Sequence, residues 1–146
     1  MRSRPDPKIQ LGNVDSNVAL VLVDADLPDH PIIYYSEPFS LLTGYFDHDD
    51  LIGRNCRFLQ NPPDGRVFLK EVQEKNHIAR REIKEKLEVF QETQVTIINF
   101  RKDGTPFINV LTIVPFVWEK NGTSKNYVFG FQADEATLIN AKVYLH

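Results

Sequence analysis

The stretch TQVTIINFRKDGTPFINVLTIVPFV, residues 93–117, is the strongest indication of the fold, because it contains two β-branched and aromatic runs joined by a turn signature. Residues 93–101 and 106–117 are typical of strands, and the Lys-Asp-Gly between them is typical of a hairpin turn. A third run, 126–133, follows an Asn-Gly pair inside EKNGTSK. These features predict a three-stranded antiparallel meander.

Two shorter strand candidates lie nearer the start of the chain. VALVLVD (18–24) and IIYYS (32–36) are rich in β-branched and aromatic residues, and LPDHP separates them. Residues 37–60 hold only short helical pieces, which Pro and Gly interrupt. Together with the meander, these runs predict an α+β fold in which a five-stranded antiparallel sheet carries its helices on one face. Such a half-open sheet forms a natural ligand-binding cup.

A long amphipathic helix is predicted between the two groups of strands, over residues 68–90. This stretch is highly charged, and its apolar residues recur close to the helical period of 3.6. We expect one face of the helix to pack on the core through Ile78, Ile83, Leu87 and Phe90.

Composition and charge narrow the functional class. A chain of 146 residues that is 42% hydrophobic and 25% charged fits one globular domain. We assign this domain to 18–133, with flanking segments at 1–17 and 134–146. The net charge of −3 predicts no nucleic-acid binding by this domain, and no apolar run reaches the roughly 18 residues of a membrane span. We expect an intracellular protein, either cytoplasmic or nuclear.

Three carboxamides share strand faces with apolar residues. Side-chain alternation puts Asn99, Asn109 and Gln132 each on such a face, one per strand of the meander. A buried carboxamide without partners costs about 1–3 kcal/mol, so either the three bond to one another, to loop backbone or to water, or they bind a ligand. An amide matches both the C=O and the N–H of an imide, and Gly130 leaves room for a flat ring. We therefore predict a planar heteroaromatic ligand with an imide edge.

The single cysteine, Cys56, lies in GRNCRFLQ, residues 53–60. One cysteine excludes an internal disulfide and a multi-cysteine metal site within this chain. A free cysteine is most often a small buried hydrophobic residue. Arg57 follows directly, however, and an adjacent guanidinium favours thiolate character.

Three motifs together resemble the LOV family, the flavin-binding blue-light sensors of the PAS superfamily. They are GRNCRFLQ (53–60), INFRKDGTPFIN (98–109) and GFQ (130–132), in the order that the family shows. The resemblance covers about residues 5–134 and is strongest to the fungal members. It implies a PAS fold whose helices and sheet enclose a flavin.

The resemblance also implies roles for particular residues. Cys56 would be the thiol that forms a reversible adduct with flavin C4a after blue light. Asn99 and Asn109 would hold the pyrimidine edge, and Gln132 would sit by N5 and reorient when N5 gains a proton. Asn55 and Gln60 would contact the ribityl chain, and Arg57 the phosphate. The other cofactor-binding residues that it implies are Val21, Val23, Leu59, Ile83, Lys84, Leu87, Ile97, Leu111, Ile113, Val128 and Gly130.

Two departures from the family pattern concern the cofactor's phosphate end. Lys84 stands where many members carry a second phosphate-binding arginine, so the contact would stay with Lys84 or pass to Arg80 or Arg81. An insertion, roughly residues 62–77, resembles a loop that covers an adenine in some members. FAD is therefore the expected cofactor, with FMN as the alternative.

As a LOV domain, the chain would be a photosensory module and not an enzyme. Its expected partners are the flavin and either a second copy in a light-dependent homodimer or an effector protein. Two alternatives stay open: a flavin-based redox sensor in which Cys56 is incidental, and a PAS interaction domain without a cofactor. We expect no metal site, because the acidic residues of DHDD (47–50) are better suited to capping a short helix.

Overall fold

The computed structural model describes residues 18–66 and 69–137. Five strands form one antiparallel sheet in the order β2-β1-β5-β4-β3. They are β1 (Ala19–Asp24), β2 (Ile32–Tyr35), β3 (Thr93–Phe100), β4 (Pro106–Lys120) and β5 (Thr123–Asp134). The predicted α+β fold with a five-stranded antiparallel sheet is confirmed, and the predicted strands differ from these mainly at their ends.

The turn between β4 and β5 is tighter than the sequence pattern indicates. Lys120 pairs with Thr123, so only Asn121 and Gly122 lie between the strands. Both have positive φ, at 52° and 79°, which is what a two-residue type I′ turn requires. The predicted strand ends at residues 117 and 126 were therefore wrong by three residues each, because polar residues near the turn still pair across the hairpin.

The helical segments are α1 (Glu37–Thr43), α2 (His48–Leu51), a 3₁₀ helix (Cys56–Gln60) and α3 (Lys70–Glu88). A side chain caps the start of each of the first three segments: Ser36 accepts from Phe39 N, and Asp47 accepts from Asp49 N. The acidic stretch 47–50 thus caps a short helix, as predicted. Asn55 caps the 3₁₀ helix by accepting from Arg57 N at 2.9 Å, which holds Cys56 at the first helical position.

The face that α3 buries differs in part from the predicted one. Its buried residues are Asn76 and Ala79, while Ile78 is 63% exposed. At 100° per residue, Ile78 lies about 140° around the helix from Ile83, too far to share its face. Phe90 lies beyond the end of α3 with a φ of 55° and is 53% exposed, so its predicted core role was also wrong.

Two apolar clusters hold the helices on the sheet. The first lies between the β1–β2 end of the sheet and the short helices, and it contains Phe39, Leu51 and Leu59. The second joins α3 to β3 through Ala79, Val95 and Ile97. Between these clusters the helices stand off from the sheet and leave a cavity.

The predicted flanking segments fall largely outside the described residues, which include neither 1–17 nor 138–146. Among the residues that the structure does describe, no helix is both long and apolar enough to cross a membrane.

Candidate functional site

A cavity of about 630 Å³ lies between the sheet, α3 and the 3₁₀ helix. The structure brings every residue predicted to contact the cofactor to the lining of this one cavity. Those residues are Val21, Val23, Asn55, Cys56, Arg57, Leu59, Gln60, Ile83, Lys84, Leu87, Ile97, Asn99, Asn109, Leu111, Ile113, Val128, Gly130 and Gln132. Residues separated by more than a hundred positions along the chain thus share one site.

Cys56 lies half-buried in the cavity lining, at the start of the 3₁₀ helix. Desolvation by burial raises the pKa of its thiol to about 12, so the resting side chain is a neutral thiol. Arg57 does not favour a thiolate in this structure, because its guanidinium pairs with Asp29, with Nη2 at 2.6 Å from Oδ1. The site therefore presents a sulfur that still carries its proton.

The three predicted carboxamides are buried in the cavity wall. Asn99, Asn109 and Gln132 are 4%, 1% and 8% exposed, respectively. Asn109 Nδ2 donates to Asn99 Oδ1 at 2.8 Å, and Gln132 Nε2 donates to Gly130 O at 2.8 Å. The alternative in which the amides bond to one another and to backbone is thus realised in part.

These contacts leave hydrogen-bonding capacity unused. Each carboxamide nitrogen carries two hydrogens, and Asn109 Nδ2 uses one of them. Within residues 18–66 and 69–137, no donor reaches Gln132 Oε1. A buried amide that lacks a partner costs about 1–3 kcal/mol, so these groups favour a polar, planar ligand in the cavity.

Gly130 shapes the wall beside Gln132. A Cβ at this position would lie 3.2 Å from Val21 Cγ2 and 3.7 Å from both Leu111 Cδ1 and Gln132 Nε2. The absence of a side chain thus keeps open a narrow space between β1 and β4, the strands on either side of β5. Ile97, Leu111 and Ile113 add apolar surface, so the cavity suits a flat aromatic ring.

Three basic side chains belong to the cavity lining. Arg57, Arg80 and Lys84 all line it, and Gln60 Oε1 accepts a hydrogen bond from Arg80 Nη1. Arg81 instead pairs with Glu85 on the exposed side of α3, at 3.7 Å. Of the two arginines that could supplement Lys84, the structure places Arg80 at the cavity.

The predicted insertion is only partly a loop. Residues 70–77 form the first two turns of α3, so the loop after the 3₁₀ helix ends by residue 69. The helix predicted over residues 68–90 already overlapped the end of the insertion, and the structure follows the helix prediction there.

Comparison with known proteins decides the family. The PAS domain family matches residues 17–134. The White collar 1 protein of Neurospora crassa is 45% identical over 135 residues, which are 90% of this chain and 11% of that protein. A solved fungal LOV domain photoreceptor superposes with a TM-score of 0.68 and 42% identity, covering 91% of this chain and 85% of that one. The chain is a LOV domain of the PAS family.

Another solved structure, that of the photo-excited blue-light photoreceptor Vivid, is similar to this LOV domain with a TM-score of 0.68 and 39% identity. It covers 91% of this chain and 88% of that one. The predicted resemblance to fungal LOV photoreceptors is thereby confirmed, and so is photoreceptor function at the level of the family. Because the LOV domain spans only 11% of White collar 1, the activity of that whole protein is a separate matter.

Two residues that line the cavity were missed in the sequence. His30 lies in the loop between β1 and β2 with a φ of 45°, and Glu88 ends α3. His30 stands alone in a turn-like stretch, where nothing in the pattern indicates that it would reach the cavity. Glu88 lies four positions after Lys84, close to one helical turn, so the expected placement of Lys84 at the cofactor could have pointed to it.

Proposed function

We propose that this LOV domain senses blue light through a flavin held in the cavity, with Cys56 as its photoreactive group. One observation carries the proposal: Cys56 lines the same cavity as the carboxamides of Asn99, Asn109 and Gln132. A reactive thiol and an imide-matching wall are the two features that such a sensor needs. Blue-light receptors among the relatives, such as Vivid, support the same conclusion.

A flavin fits the residues that surround the cavity. The spare amide hydrogens of Asn99 and Asn109 would bond to its pyrimidine edge, and the space at Gly130 would admit its ring. Arg57, Arg80 and Lys84 would neutralise its phosphate, and Arg57 would leave Asp29 to do so. We keep FAD as the expected form, with FMN as the alternative.

When bound, a flavin supplies a ring that absorbs blue light and becomes reactive at C4a. Cys56 then supplies both parts of the addition, because its raised pKa keeps the proton on sulfur. Its S–H bond would break in that addition, the sulfur would serve the bond to C4a and the proton would serve N5, so Cys56 would need no external oxidant or reductant. In the reverse reaction in the dark, Cys56 would take its proton back.

Gln132 converts this change into a structural signal. Its Nε2 donates to Gly130 O at 2.8 Å in the present structure. If N5 of a bound flavin gained a proton, it would become a donor, so the Gln132 amide would have to turn to offer Oε1, which would alter its contact with Gly130. Gln132 lies in β5, which pairs with β1. β1 begins shortly after the flanking segment 1–17, and β5 ends where the other flank, 134–146, begins.

The domain acts as a sensor and not as an enzyme. The signal shifts a population between a resting state and a lit state, in which the flanks favour a homodimer or an effector protein. The size of that shift is limited by the difference in stability between the two states. Residues 18–133 form the sensory unit in this proposal.

Absorption spectroscopy tests the proposal. The purified wild-type protein should show a structured flavin band in the blue, lose it after a blue flash and regain it in the dark. Cys56→Ala should bind flavin and keep its band after the flash, because only the thiol is missing. Band loss that persists in Cys56→Ala would favour the flavin-based redox sensor. A protein that takes up neither FAD nor FMN would leave the PAS interaction domain without a cofactor as the remaining alternative.

A further inference from the structure

A fourth buried carboxamide, besides the three in the cavity wall, lies outside the cavity on the charged helix α3. Asn76 is 2% exposed and is one of the two buried residues of that helix. Its Nδ2 donates to Ile98 O at 2.9 Å, and its Oδ1 accepts from Ile98 N at 2.8 Å. Both polar groups of one side chain therefore bind the two backbone groups of one residue in β3.

This paired contact is suited to an edge strand. β3 ends the sheet order, so no strand within residues 18–66 and 69–137 pairs with its outward N–H and C=O groups. Asn76 supplies the donor and acceptor that another strand would offer at Ile98. A buried backbone group without such a partner would cost free energy comparable to a lost hydrogen bond.

From Ile98 the hydrogen bonds continue across the sheet. Ile98 O also accepts from Asn99 Nδ2 at 3.2 Å, and Asn99 Oδ1 accepts from Asn109 Nδ2 at 2.8 Å. Asn109 Oδ1 in turn accepts from Ala133 N at 3.2 Å. We call these four residues with Asn76 the amide relay. It runs from α3 through the two cavity asparagines to β5, where Ala133 follows Gln132.

We propose that Asn76 is a positioning residue that orients the Asn99 carboxamide toward the cavity ligand. Asn76 holds the carbonyl oxygen of Ile98 in place, and Asn99 Nδ2 uses that same oxygen to set its own orientation. Asn99 then presents one oxygen to Asn109 and its remaining N–H to the ligand. The inference rests on the proposed flavin site, and it adds a determinant on α3 that touches neither flavin nor cavity.

Replacing Asn76 tests this inference with a matched control. Asn76→Ala removes both contacts to Ile98, and we expect flavin affinity to fall about tenfold, equivalent to about 1.4 kcal/mol. The carbonyl stretching bands of the bound flavin should also shift in the infrared, because the Asn99 hydrogen bond loses its alignment. Ala79→Gly lies on the same buried face of α3 and weakens its packing on β3, but it removes no hydrogen bond, so it should leave those bands unchanged.

Hydrogen exchange of the wild-type protein tests the inference without any variant, so the result does not depend on whether a variant folds. The amide of Ile98 should exchange more slowly with flavin bound than without it, and by a larger factor than amides of β2, which lies outside the relay. Equal effects in the two strands would overturn the inference.

The outcomes separate this inference from the proposed function. A wild-type protein that takes up no flavin would remove the proposed function and the inference with it. Flavin binding by the wild type, together with unchanged affinity and unchanged carbonyl bands in Asn76→Ala, would overturn the role of Asn76 alone. A band shift of equal size in Ala79→Gly would also overturn it, because helix packing would then explain the effect.

Discussion

Asn109 donates a hydrogen bond to Asn99 over 2.8 Å, and this contact joins β3 and β4 inside the cavity wall. The two side chains are 1% and 4% exposed, so water does not compete for the bond. Because the Asn109 amide donates to the Asn99 oxygen, each side chain fixes the orientation of the other before any ligand binds. A ligand that bonds to the remaining hydrogens thus pays little entropy to order them.

Replacing Asn109 should weaken both flavin binding and the fold. Asn109→Ala removes a ligand contact and leaves Asn99 Oδ1 and Ala133 N without their partner. We expect flavin affinity to fall at least about tenfold and the free energy of unfolding to fall by about 1–3 kcal/mol. Val110→Ala, on the opposite face of β4, is the control, and titration with FMN measures the affinity. Equal affinities in the two variants would contradict the assigned role.

Adding a methyl group at Gly130 should narrow the space for the ring. Gly130→Ala would place Cβ 3.2 Å from Val21 Cγ2, closer than ordinary contact. We expect weaker flavin binding and a stability cost of about 1–3 kcal/mol from overpacking. The double variant Gly130→Ala/Val21→Ala should recover part of the affinity, because it removes the methyl that the new Cβ meets. Failure of the second substitution to restore any binding would argue against a ring at this point of the wall.

The basic residues of the cavity should distinguish ligands by their phosphate. Lys84→Gln and Arg80→Gln should each lower the affinity for FMN while leaving that for riboflavin, which lacks a phosphate, nearly unchanged. The losses should shrink as salt is added, because these side chains are partly exposed. Arg81→Gln is the matched control, since Arg81 pairs with Glu85 on the exposed side of α3. If all three variants lost FMN affinity equally, the effect would be one of net charge and not of the site.

The photochemistry should depend little on pH. Burial raises the pKa of Cys56 to about 12, so the thiol stays protonated between about pH 6 and about pH 9. The yield of the light-induced absorbance change should be flat across that range, and an inflection near the ordinary thiol pKa would contradict a neutral resting thiol.

The same raised pKa has a consequence for stability. The buried neutral thiol contributes to the free energy of unfolding. This contribution is fully present below the thiol pKa of the unfolded chain, about 8.5, and is lost as pH rises from there toward about 12. Wild-type protein should therefore lose stability relative to Cys56→Ala as the pH passes 8.5, in denaturant unfolding at matched salt. A constant difference between the two proteins would show that burial does not hold the thiol neutral.

Much of the fold could be predicted because successive side chains of a strand alternate between the two faces of the sheet. The period of two places Asn99, Asn109 and Gln132 correctly on cavity-facing sides, and it requires no knowledge of distant contacts. The helix was harder, since α3 buries Asn76 and Ala79, a polar residue and a small one, while Ile78 faces solvent. Hydrophobic periodicity gives little weight to a buried asparagine whose partner is the backbone of a distant strand.

The electrostatics of the site could not be predicted from neighbours in sequence. Arg57 follows Cys56 directly, yet its guanidinium bonds to Asp29, which lies 28 positions away. Adjacency along the chain says little about where a long side chain ends, because the 3₁₀ helix turns successive residues in different directions. The protonation state of Cys56 therefore depends on burial, which only the fold determines.

Light-minus-dark infrared spectroscopy of the flavin-loaded wild-type protein would show whether light acts on Cys56, by following the S–H stretching band of its single thiol. We expect this band to be present in the dark, to disappear on blue illumination together with the flavin absorption band, and to return with it at the same rate. Cys56→Ala should show no such band in either state. If the S–H band persisted while the flavin band was lost, Cys56 would not be the photoreactive group.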